Sequence, residues 1–388
     1  MNLVQTSSFT KKVLLVVSVL LGIYVFFLML RQPVRSAWVA LFPPKDRPTV
    51  AFGVLDPLEF TQTQTLNTAA PSFVLNTRTG SLPANLPTQA KVYKYSQQPF
   101  SYSAGEKAQA DAQKLGFTDE MRISNLSDPV FVWQDIGFGG RLVINSGNEA
   151  LELTTPMGGK GTLYPSGKLS RALALTTAKS ILGEIGRFID PLYRSEVSGF
   201  QDVVFGKFGP TGLVRANSTL EAQVAKVDFF RNIDNVPILG PNPAQGMLQV
   251  VLREAESRTL FPQLSFPIMK VFEWQVNTAN FATYPLIPVT TAWNEVSQGN
   301  GVIVSVVPSN SNPFIEPPTV RVDQVLINEV YLAYFDNTQQ QQYLQPIYVF
   351  EGNYTSQNGG SGDVFIYYPA ISGEYVRSPQ GVGQTSQL

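Results

Sequence analysis

The chain has 388 residues, with 28 lysines and arginines against 29 aspartates and glutamates, no histidine and no cysteine. A net charge of −1 offers no basic surface to displace phosphate counterions, so no nucleic-acid partner is expected. Without His or Cys, a Ser-His-Asp triad, a cysteine nucleophile, a zinc site of the usual ligands and a His- or Cys-ligated haem all drop out, and no metal or cofactor is expected.

After a short tail, residues 1–12, the run from Val13 to Leu30 reads VLLVVSVLLGIYVFFLML, 18 residues without a charge. At about 1.5 Å per residue it spans roughly 27 Å, close to a bilayer's hydrocarbon core. Lys12 and Arg31 flank it and extend its reach. No small-x-small cleavage site follows, so the run reads as an uncleaved transmembrane anchor with the lipid bilayer as its partner. Lys11 and Lys12 precede it, whereas Arg31, Arg35, Lys45 and Arg47 follow, a bias that argues mildly for an inside C-terminus. The absence of cysteine argues the other way, because free thiols mispair outside the cytoplasm. The expectation is a cell-membrane protein with its N-terminus cytoplasmic and its C-terminal domain extracytoplasmic.

Residues 31–90 read as a juxtamembrane and extended linker, Pro/Thr/Asn-rich with short apolar pieces such as 73–75. A helix-then-meander rhythm follows. The first unit, 91–165, opens with a helix from Ala104 that Gly116 stops, followed by strand-like runs at 129–134, 141–146 and 150–155. The second, 166–285, begins with a longer helix ended before Pro191, whose apolar residues keep helical spacing. Strands at 223–233, 236–239, 247–253 and 271–276 come after it, with a turn at Asp234-Asn235. The third, 286–376, has a short helix at 289–298 and strands at 302–307, 320–335, 345–352 and 364–369. Residues 377–388 read as a disordered tail. The expected fold is therefore α+β: an N-terminal transmembrane helix, then two or three modules of a helix packed on an antiparallel β-sheet, cystatin/PepSY-like in build.

Catalytic candidates are sparse. Asp228, Asp234, Glu254, Glu273, Asp323 and Glu329 are available for paired-carboxylate chemistry, but no spacing singles out a pair. Ser170 or Ser180 with Lys179 is poorly placed for a Ser/Lys dyad, since Lys179 and Ser180 diverge by about 100° on a helix. Gly158-Gly159-Lys160-Gly161 lacks the spacing of a phosphate loop. The last 60 or so residues are rich in aromatics. Most suit a core or cross-strand pairs, and Tyr331, Tyr334, Tyr348, Phe350 and Tyr367 are the candidates for an interaction surface.

Residues 342–350 (QYLQPIYVF) followed by 364–369 resemble the closing hairpin of PepSY-like and YycH/YycI-type domains. Residues 227–240 (VDFFRNIDNVPILG) look like the strand–turn–strand of those families, and Ala292-Trp293-Asn294-Glu295-Val296 with Gly299 looks like their helix. The resemblance covers about residues 220–372. It implies a membrane-anchored, extracytoplasmic, non-catalytic regulatory protein that works through contact with an envelope or membrane protein. The alternatives are a structural subunit of a cell-surface assembly and a carboxylate-based cell-wall hydrolase.

Overall fold

A computed structural model of the chain describes residues 20–21, 47–67, 70–96, 102–125, 128–137, 139–145, 147, 150–155, 169–188, 190–194, 203–210, 212–253, 268–272 and 274–377. The chain divides into two compact units, Met1–Pro48 and Thr49–Leu388. In the first, Leu20 and Leu21 are helical. The rest of the apolar run from Val13 to Leu30 lies outside the described residues, as does the tail expected to be disordered beyond residue 377. No helix among the described residues is long and apolar enough to cross a membrane. The single-pass, signal-anchor expectation is corrected accordingly: the described fold contains no such element.

The α+β expectation is corrected as well. Among the described residues the fold is mostly β, 41% strand and 17% helix, with two large sheets. In chain order the second unit runs β1 (Ser72–Leu75), β2 (Gln89–Tyr95), α1 (Ala104–Lys114), β3 (Val130–Gln134), β4 (Arg141–Asn145), β5 (Leu151–Thr154) and α2 (Arg171–Glu184). There follow β6 (Val203–Gly209), β7 (Gly212–Arg215), β8 (Val224–Phe229), β9 (Arg231–Ile233), β10 (Val236–Leu239), β11 (Leu248–Arg253) and β12 (Ile268–Val271). The chain closes with β13 (Val276–Pro285), α3 (Val289–Ser297), β14 (Val302–Pro308), β15 (Gln324–Phe335), β16 (Tyr343–Thr355) and β17 (Ser361–Pro369).

Separate modules fail to form because strands pair across them. β5, the end of the first expected module, pairs with β12, from Thr154 opposite Ile268 to Leu151 opposite Val271. That ladder joins both meanders into one eight-stranded antiparallel sheet of order β3-β4-β5-β12-β11-β8-β6-β7. Helices α1 and α2 share its core: Ala108 and Ala112 of α1 and Ala174, Ala178 and Leu182 of α2 sit with Trp133, Leu142, Leu153, Val227 and Val250. The four-residue spacing within each helix puts these small residues on one face, which lets the helix axis lie close to the sheet. Ser170 caps α2 by accepting from the Leu173 amide. Each helix ends in the same way, with a glycine at positive φ (Gly116, Gly186, Gly299) and the next amide returning to a carbonyl one turn back (Phe117 to Ala112, Arg187 to Leu182, Asn300 to Glu295). A buried ion pair, Arg187 to Asp111 at 3.2 Å, ties the end of α2 to α1.

The nine-stranded sheet carries the candidate site. Its longest strands, β15 and β16, pair antiparallel from Gln324 opposite Thr355 to Phe335 opposite Gln345, with β17 and then β14 on the far side of β16. β1 and β10 run parallel to opposite ends of β15, and β9 joins β10 through a turn at Asp234-Asn235, both at positive φ as a two-residue hairpin requires. The antiparallel β2–β13 pair attaches where β16 begins. Apolar residues cover both faces of β16: Tyr348, Phe350 and Tyr354 enter one core, Ile347 and Val349 the other.

Residues 49–67 and 70–76 lie along this sheet as a strap. Val50 bonds Thr283 on β13, Thr63 bonds Ile303 on β14, Leu66 bonds Val320, and β1 then pairs with β15. These bonds occupy otherwise open strand edges, which would invite pairing with other chains. Leu55 anchors the strap, fully buried and bridged to Val376.

Candidate functional site

The aromatic residues expected to face a partner are mostly interior. Tyr348, Phe350 and Tyr367 are at most 1% exposed and Tyr334 is 3% exposed. Their placement splits them: Tyr348 and Phe350 share one core, Tyr367 lies in the core on the opposite face, and Tyr334 packs with Tyr93, Tyr95 and Trp274. Burial pushes the Tyr348 phenol up to about 12. Tyr331 alone is half-buried, and its hydroxyl donates to Glu351 at 3.3 Å.

The carboxylates noted in the sequence are dispersed and engaged. Asp228 is buried, accepting from Gln249 at 2.8 Å and the Gly246 amide at 3.1 Å, with Lys226 at 3.4 Å. Burial raises its pKa, opposed by Lys226. Asp234 accepts from Lys91 at 2.7 Å and Tyr93 at 2.6 Å, bonds that hold its carboxyl below the usual range. Asp323 caps the turn after β16 by accepting from the Gln357 amide at 2.8 Å, and it bonds Arg321. Glu254 and Glu273 lie outside the described residues, as do residues 158–161. The Ser/Lys dyad is not assembled: Ser170 caps its helix, Ser180 donates to Glu184, and Lys179 lies 5.9 Å over the Phe188 ring. One acidic pair does meet, Glu329 and Glu351, directly opposite across β15 and β16. Burial first, and then Glu329, raises the Glu351 pKa. Among the described residues no group of three or more acidic side chains is placed to hold a metal ion.

The sequence reading missed a cleft built where β15 passes into β16. β15 ends at Phe335, and the next residue, Asp336, is held by three hydrogen bonds. Its amide donates to Leu239 at 2.9 Å, its carboxylate accepts from Tyr95 at 2.8 Å and from Arg231, and Arg231 also bonds Asp190 and the Trp274 carbonyl. Arg231 and Asp336 are 2% and 0% exposed. Burial pushes the Asp336 carboxyl upward, and Arg231 and Tyr95 oppose it. The Trp274 indole then donates to the Asn337 carbonyl at 2.9 Å. Two rigid anchors thus precede the run Gln339-Gln340-Gln341-Gln342.

That run faces the strap across a cleft of about 450 Å³, lined by Asp56, Pro57, Leu58, Glu59, Asn337, residues 339–342, Tyr343 and Gln345. Gln345 donates to the Asp56 carbonyl at 2.9 Å, and the Asn337 side chain orients the Gln339 amide. Tyr343 stacks on Phe52 with ring centroids 4.8 Å apart. Asp56 pairs with Arg377 at 2.9 Å. The carbonyl oxygen of the Gln341 side chain is buried without a hydrogen-bond partner, an arrangement that ordinarily costs about 1–3 kcal/mol. The sequence held one signal for this site, the run of four glutamines; the contribution of Asp56 and Glu59, some 280 residues away in sequence, was not legible.

No protein-family model matches the chain, and no curated protein does. A crystal structure of an uncharacterized protein from Eubacterium rectale is similar at 11% identity and a TM-score of 0.40, over 76% of this chain and 86% of that one. At that score the likeness bears on neither fold nor function.

Proposed function

We propose that the chain is a non-catalytic binding protein of an extracytoplasmic setting, which engages its ligand in the amide-lined cleft between the strap and the β15–β16 loop. The observation that carries this reading is the cleft's construction: exposed side-chain amides of Gln339, Gln340 and Gln342 that follow a buried, charged anchor. Amides neither ionise near neutrality nor act as nucleophiles, so such a lining suits recognition more than bond cleavage. The lack of cysteine supports the extracytoplasmic setting. A regulatory role by contact with an envelope protein, which the resemblance to PepSY-like and YycH/YycI-type domains implies, is one use of such a binding protein.

The test is a thermal-shift screen of the full chain against sorted ligand classes: neutral oligosaccharides, short peptides, nucleotides and fatty acids. A bound ligand raises Tm by mass action. One class is expected to raise the Tm of the wild type and not that of a Gln339→Ala/Gln340→Ala/Gln342→Ala variant, whose altered side chains are exposed. Equal shifts in both proteins, or none with any class, contradict the reading.

A second reading rests on Glu329 and Glu351. The two are register partners across β15 and β16 and the pKa of the Glu351 carboxyl is raised, and a retaining glycosidase needs two neighbouring carboxyls, one with a raised pKa. This reading requires hydrolysis that Glu351→Gln abolishes.

A further inference from the structure

We infer that the cleft takes a neutral saccharide, an inference that rests on the binding reading above and names its ligand class. Three features of the lining point there. The first is its polar chemistry. Gln339, Gln340 and Gln342 are exposed and each present a donor and an acceptor from one planar group, while the Asn337 and Gln345 amides are buried and bonded within the fold. A sugar's adjacent hydroxyls each donate and accept, so side-chain amides match them in pairs.

The second is charge. The lining holds two carboxylates, Asp56 and Glu59, and no lysine or arginine. Arg377, beside Asp56, is taken up by that carboxylate. A phosphate, nucleotide or acidic sugar would meet acceptors and negative charge. The third is shape. A volume of about 450 Å³ is within the roughly 300–1,000 Å³ usual for small-ligand sites, but such sites are mostly apolar and this one is not. Apolar lining is confined to Pro57, Leu58 and the ring of Tyr343, half-exposed and backed by Phe52. A ring of that kind offers a flat surface to the C–H face of a sugar. A peptide bound as an added strand would need an open sheet edge, whereas here the strap faces the loop.

The experiment is native affinity electrophoresis of the full chain through gels containing neutral polysaccharides (soluble starch, xylan, mannan, β-glucan) or charged controls (polygalacturonate, chitosan). At least one neutral polymer is expected to retard the wild type. The Gln339→Ala/Gln340→Ala/Gln342→Ala variant should bind it about tenfold more weakly, with Tm unchanged within error. Tyr343→Ala should weaken it too, while Leu66→Ala, an exposed strap residue away from the lining, should not. Retardation by a charged polymer alone, or by a neutral one equally in wild type and variant, overturns the inference. If no polysaccharide retards the chain but a peptide or nucleotide shifts its Tm through the cleft, the saccharide assignment falls and the binding reading survives. If nothing binds in either assay, both fall.

Discussion

At the scale of single residues, Glu351 makes the clearest case for chemistry versus structure. Its pKa is raised by burial and then by Glu329, with Asp363 adding to the effect. A carboxyl whose folded pKa lies above its unfolded value favours folding most when protonated. That contribution is fully present below the ordinary carboxylate pKa and is lost as pH rises through the folded value. Glu351→Gln removes the ionisation and keeps an acceptor for the Tyr331 hydroxyl. The variant should therefore melt above the wild type at pH 7, and the gap should close toward pH 4. Paired melting curves at the two pH values check this. A lower Tm for the variant at pH 7 would mean that the charged form of Glu351 is being stabilised by something other than its neighbours here.

At the scale of elements, two features distinguish a built scaffold from a linker with strands attached. Leu55 lies in irregular chain yet is fully buried among the residues of the main C-terminal core. Leu55→Ala should cost about 2–5 kcal/mol in urea unfolding, as for a core leucine, whereas exposed Leu66→Ala should stay within about 0.5 kcal/mol. Equal, small effects would show that the strap is not packed. Gly352 marks the other feature. It sits on β16 opposite Ile327, where the β15–β16 register shifts, and a Cβ there would fall on the Leu326 carbonyl oxygen. Because backbone cannot yield as a side chain does, Gly352→Ala should destabilise by about 1–3 kcal/mol.

The elements also show what the sequence made legible. The three helices were marked by spacing, and the first and third by the glycines that stop them; the second, expected to run on toward Pro191, ends at Glu184 before Gly186, and the Asp234-Asn235 turn was marked by its residue types. Strand partnership was not marked. The stretch after Met247 reads as a string of similar strands, yet β12 joins one sheet and β13 the other. Nothing local in 268–285 encodes that choice, because pairing is decided by residues over a hundred positions away, such as 151–154. The aromatic surface failed for a related reason. Alternation assigns residues to faces, but it cannot say that both faces of β16 are covered, so a core reading for most of the aromatics left Tyr348, Tyr367 and their neighbours as surface candidates.

At the scale of the molecule, the Thr49–Leu388 unit holds its two sheets together partly through one arginine. Arg231 on β9 of the nine-stranded sheet reaches Asp336 after β15, Asp190 beyond α2 and the Trp274 carbonyl between β12 and β13. Removing one partner of such a buried group strands the others' charges. Arg231→Met should cost about 3–5 kcal/mol, and adding Asp336→Asn should recover part of that loss. The same variant should weaken ligand binding beyond its effect on stability, because Asp336 anchors the start of the cleft loop. A loss of stability with binding intact would separate the anchor from the site.

The most direct measurement is hydrogen–deuterium exchange of the full chain with and without a saturating neutral oligosaccharide drawn from the polymer that retards it. The account predicts protection in residues 336–345 and 55–60, none beyond background around Glu329 and Glu351, and recovery of the oligosaccharide at its original length. Protection centred on Glu329 and Glu351, with the oligosaccharide shortened, would contradict it and establish the carboxylate hydrolase in its place.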